Sequence, residues 1–160
     1  MRILTNYIER QLFYSTSDEE WRTELPKDNW CLIIISNTNN EKLIDEIISE
    51  SISNSVGYIC GIGTAHNYIH NQADIEFVNR DIGESKFPKP KYHIMTVGDE
   101  DFEEGIWFGL MNTFNGEVEI DKIFIIDTDC NWKPELLNLI KKFENGYLPD
   151  NNLLTFGQDV

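Results

Sequence analysis

Four short apolar runs constrain this chain more than any other feature. They are WCLIIIS (residues 30–36), VGYICGI (56–62), YHIMTV (92–97) and KIFIID (122–127). Each is rich in Ile, Val or aromatic residues and is bounded by Gly, Asn, Pro or Asp. A strand with one wet face alternates apolar and polar; these runs are apolar on successive residues, so both faces need cover.

Helical patterns fill the gaps and supply that cover. Thr38 and Glu41 form a capping-box pattern ahead of Leu43, Ile44, Ile47, Ile48 and Ile52, which share one helical face. The stretch 64–80 is ambiguous, because Ile75 and Phe77 also suit an extended alternation. From Asp101 to about Asn115, Phe102, Ile106, Leu110 and Phe114 recur every four residues, and Gly105 and Gly109 allow close approach to a sheet. Pro134 opens a last helix carrying Leu136, Leu137, Ile140 and Phe143.

Strand and helix thus alternate four times. The order predicts an α/β domain of three layers, Rossmann-like or flavodoxin-like, with about four parallel strands and helices on both faces. The 160 residues fit one domain: a lead-in over 1–29 with an edge strand near residues 2–8, a core over 30–146, and a tail over 147–160 that either packs through Leu153, Leu154 and Phe156 or frays.

Charge narrows the function. The 28 acids against 13 bases leave a net charge of -15. Such a surface repels nucleic-acid phosphates and anionic lipid, and attracts a cation or a basic protein. No apolar run has the length of a membrane span. Residues 1–11 lack the pattern of a secretory signal, and Cys31, Cys60 and Cys130 are odd in number and contain no C-x-x-C pair. A cytoplasmic, disulfide-free protein is the expectation.

Ligands of open parallel sheets bind beyond the carboxyl ends of the strands, and the candidate residues lie there. Gly61, Gly63 and Thr64 lie between the second run and a helix and suit one anion, although His66 stands where a dinucleotide fingerprint needs glycine. A tight turn with a Thr cap is the simpler account of them. Asp127 and Asp129 end the fourth run; with Asp99 and Asp101 they offer oxygen ligands for Mg²⁺ and a phosphoryl-transfer or nucleotide-processing enzyme. His66, His70 and Asp74 share a helical spacing but lack a fourth zinc ligand. No Ser sits in G-x-S-x-G, Cys31 and Cys60 read as core residues, and neighbouring acids disfavour a Cys130 thiolate.

The remaining feature is the joint of Asp99, Glu100, Asp101, Glu103 and Glu104. Acids in a first helical turn gain about 0.3–1 kcal/mol each from the helix dipole. Five like charges exceed that need, and the surplus points to a surface tuned for a cationic partner. The leading expectation is a non-enzymatic acidic domain without cofactor, an inhibitor or immunity-type partner of a basic protein such as a nuclease, with Trp21 or Trp132 as the candidate aromatic anchor. Ordinary packing is the competing account of both Trp residues.

The arrangement WCLIIIS…VGYICGIG…FPKPKYHIMTVGDEDFEEGIWFGLMN…IDKIFIID resembles an uncharacterised bacterial family, a domain of unknown function, over about residues 30–127. The resemblance is most specific over residues 95–112. It implies a small bacterial α/β domain and says nothing of an activity. The acids after the fourth run and the lack of a Cys after the second depart from that family's pattern.

Overall fold

The computed structural model describes residues 3–7 and 9–149. The tail contacts expected through Leu153, Leu154 and Phe156 lie outside the described residues. In chain order the elements are β1 (Ile3–Tyr7), β2 (Arg10–Thr16), β3 (Trp30–Ile35), α1 (Glu41–Ser53), β4 (Tyr58–Ile62), α2 (His66–Asp81), β5 (Met95–Asp99), α3 (Phe102–Met111), β6 (Lys122–Asp127) and α4 (Lys133–Glu144).

One sheet takes the order β1-β2-β6-β3-β4-β5. Strands β2, β6, β3, β4 and β5 are parallel, and β1 joins β2 as an antiparallel edge. The parallel strands number five, not four. The extra one, β2, lies in the supposed lead-in and is interior: it pairs with β1 on one side and β6 on the other. Its sequence, RQLFYST, conceals this because only Leu12, Phe13 and Tyr14 are bulky and apolar. Leu12 and Tyr14 enter one core while Phe13 enters the other.

The same split runs through β3. Cys31, Ile33 and Ile35 face α3 and α4; Trp30, Leu32 and Ile34 face α1 and α2. All six residues are buried. That is why the run is apolar on both parities, and it gives the expected three layers. Gly105 and Gly109 let α3 lie against the sheet: a Cβ on Gly105 would stand 2.9 Å from Ile62, and one on Gly109 would stand 2.5 Å from Ile33.

Several boundaries differ from expectation. Asn40, not Thr38, caps α1, its Oδ1 accepting from the Leu43 amide at 3.2 Å. The third run becomes a strand only from Met95, so Asp99 belongs to the strand end. Helix α3 stops at Met111, four residues early, because the buried Arg10 guanidinium takes the Leu110 and Thr113 carbonyls. Among the described residues no helix is long and apolar enough to cross a membrane.

Candidate functional site

The carboxyl ends of the parallel strands form one rim, and three turns meet there. The first follows β6. Asp127 is fully buried, and its carboxylate accepts four hydrogen bonds: from the Tyr14 hydroxyl at 2.7 Å and from the amides of Asp129 (3.0 Å), Cys130 (2.9 Å) and Trp132 (2.7 Å). A buried carboxylate needs donors of this kind, and here the chain supplies them all. Burial and that same bond to Asp127 hold the Tyr14 phenol well above its ordinary pKa.

Asp129 is engaged as well. It accepts from the Asn37 amide (3.1 Å), the Asn37 side chain (2.7 Å) and the Trp132 indole (2.8 Å). Asn37 in turn accepts from the Thr64 amide at 3.0 Å. It therefore stitches the turn after β6 to the turn after β4. Trp132 also stacks on Phe102, with ring centroids 4.4 Å apart. The sequence does not point to Asn37, Tyr14 or Trp132 as members of this network. Their residue types carry no signal of it; only the register of β2 and β3 against β6 brings them together.

The turn after β4 has no free cradle for an anion. The Gly63 amide donates to the Asp99 carbonyl, Thr64 to Asn37, Ala65 to the Ser36 carbonyl and His66 to the Gly63 carbonyl. Gly63 has φ +106, and a Cβ there would collide with the Ser36 carbonyl, so the turn requires glycine. Gly61 lies in β4, where a Cβ would meet Ile69 at 2.7 Å. Gly61, Gly63 and Thr64 thus serve the seating of α2 and the linking of turns.

The third turn carries the acidic joint. Asp99 accepts from the Asp101 amide at 2.9 Å, and Asp101 caps α3 by accepting from the Glu104 amide at 2.8 Å. Glu103 accepts from the Tyr147 hydroxyl. Glu100 and Asp101 are exposed, while Asp99, Glu103 and Glu104 are half-buried. Asp99 lines a cavity of ≈ 60 Å³ with Val97, Trp107 and Phe108, and burial raises its pKa above the ordinary aspartate value.

The four carboxylates of the Mg²⁺ reading do not converge. Asp99, Ile62, Ile35 and Asp127 occupy one row across β5, β4, β3 and β6. Two isoleucines therefore separate Asp99 from Asp127, three strand spacings or about 14 Å apart. Among the described residues no three His, Cys, Asp or Glu side chains come together as a metal ion needs. His66 contacts the Gly63 carbonyl through Nδ1 at 2.8 Å, and His70 faces Asp74 at 3.7 Å, so the zinc spacing leads to no ligand set. Trp21 is 1% exposed and is a core residue, not a surface anchor.

The chain belongs to a family described as a domain of unknown function, DUF7684, whose model matches residues 6–154. No curated protein and no solved structure matches it.

Proposed function

We propose that this member of the DUF7684 family is a non-enzymatic docking domain for a basic protein, an inhibitor or immunity-type partner of which a nuclease is the kind with suitable surface charge. One contrast carries this reading. The polar groups of the rim that would perform chemistry are engaged with one another, whereas Glu100, and Asp101 beyond its cap of α3, face solvent with no Lys or Arg paired to them among the described residues. A cluster of that sign, on a chain of net charge -15, accelerates encounter with a cationic surface and loses that advantage as salt screens it.

The test uses the purified chain as bait and measures association kinetics of the captured protein at 50 and 300 mM salt. The on-rate should fall about tenfold or more across that range. Glu100→Lys with Glu104→Lys spares the Asp101 cap and should slow association further. A partner that is acidic, or an on-rate indifferent to both salt and charge reversal, would sink the proposal. The metal-dependent alternative makes an opposite demand: Mg²⁺ should raise the melting temperature of the wild type and leave Asp127→Asn unmoved.

A further inference from the structure

Helix α2 is apolar on two sides. Its inner side places Ile69 and Ala73 in the core beneath it. Its outer side carries Ile75, Val78 and, at the C-cap, Ile82, which are 52%, 48% and 63% exposed. With the exposed Asn71 these positions are spaced four, three and four residues apart, the spacing of a seam that receives another helix. Exposed aliphatics scattered singly need no explanation, but three aligned on one helix do.

The edges of this seam have a definite charge. Asp74 and Asp81, one position before Ile75 and Ile82, run along one side; Gln72 and Asn79 run along the other. The helix's single arginine, Arg80, is turned inward, where it meets Glu76, Ser49 and Ser53. Among the described residues Asp81 pairs with the exposed Lys89 at 3.6 Å, and Asp74 has His70 at 3.7 Å together with the Thr96 hydroxyl. Exposed pairs of this kind exchange readily for a better cation. A second copy of the chain is a poor occupant, since it would bring another -15 and its own Asp74 and Asp81.

We infer that the outer face of α2 is the docking surface for an amphipathic helix of a basic partner: aliphatic side chains would fill the seam of Ile75, Val78 and Ile82, and Lys or Arg beside them would pair with Asp74 and Asp81. The inference rests on the basic-partner reading and names the face and the form of that partner. Helix-in-groove recognition of this type divides its work, apolar anchors giving affinity and flanking charge giving orientation.

The test titrates the ¹⁵N-labelled chain with a synthetic helical peptide carrying Leu at heptad positions a and d and Lys at e and g. Control peptides replace Lys by Glu, or Leu by Ser. The Lys/Leu peptide should shift the amides of residues 71–82, and each control should bind at least about tenfold more weakly. The triple variant Ile75→Ser, Val78→Ser, Ile82→Ser should lose affinity by a similar factor; Ile82→Ser alone serves if the triple variant folds poorly. Unchanged binding by these variants overturns the inference. If Glu100→Lys with Glu104→Lys then abolishes binding, the basic-partner reading stands and only the α2 face falls. Failure of the Lys/Leu peptide to bind the wild type overturns the α2 proposal outright. Sedimentation showing a dimer that the triple variant disrupts would make the occupant a second copy, which also overturns it.

Discussion

Asp127 shows how a carboxylate in a catalytic position can be structural. Its two oxygens receive the Tyr14 hydroxyl and three amides, so its charge holds the start of the β6–α4 turn. Removing the acceptor leaves a buried hydroxyl unpaired, at a cost of about 1–3 kcal/mol, and strips three part-buried amides of their partner, at a smaller cost each. Asp127→Ala should therefore destabilise by at least ~3 kcal/mol, and Tyr14→Phe, which removes one bond to a charged group, by ~2 kcal/mol, both read from urea unfolding. Asp99 behaves in the opposite sense. Burial raises its pKa, outweighing the Asp101 amide that lowers it. A carboxyl with a raised folded pKa favours the fold while protonated, and that contribution is lost as pH rises through the folded pKa. Asp99→Asn keeps an acceptor for the Asp101 amide and removes the half-buried charge. It should melt at or above the wild type at pH 7, with the difference shrinking as pH falls below the aspartate range.

At the scale of elements, α2 is seated by what its neighbours lack. Gly61 in β4 and Gly98 in β5 leave room for the first turns of the helix: a Cβ on Gly98 would stand 2.8 Å from the His66 carbonyl, and one on Gly61 would stand 2.7 Å from Ile69. The Gly98 clash is with backbone, which cannot swing aside as a side chain does. Gly98→Ala should cost about 1–3 kcal/mol by lifting the helix end, whereas Gly116→Ala, with nothing within 4 Å, should be close to neutral. Thermal melts of the two variants side by side check this. The same helix explains an ambiguity of the sequence. Ile75 and Val78 point outward while Ile69 and Ala73 point inward, so no single apolar face stands out and the periodicity is blurred.

Across the whole molecule the charge is unbalanced. With -15 on 160 residues, self-repulsion opposes the compact state, and salt screens it within about 8 Å at physiological ionic strength. Raising NaCl from 10 to 300 mM should raise the melting temperature, the reverse of what a fold stabilised by surface ion pairs would show. The parallel sheet with helices on both faces was legible in the sequence, because strands covered on both sides must be apolar at every position and helices must show a 3.6-residue period; both are local patterns. The interior strand β2 was not legible, since its burial comes from pairing with β6 more than a hundred residues later. Nor was the rim. The residue types Asp127, Asp129, Gly63 and Thr64 suit metal or anion binding equally well in any fold. Whether their oxygens and amides face solvent or each other depends on which turns the strand order brings side by side. Composition and local period determined the layers and the acidic surface of this protein; the long-range register alone decided that its strand-end groups satisfy one another, because hydrogen bonds between distant turns leave no trace in the chain's local pattern.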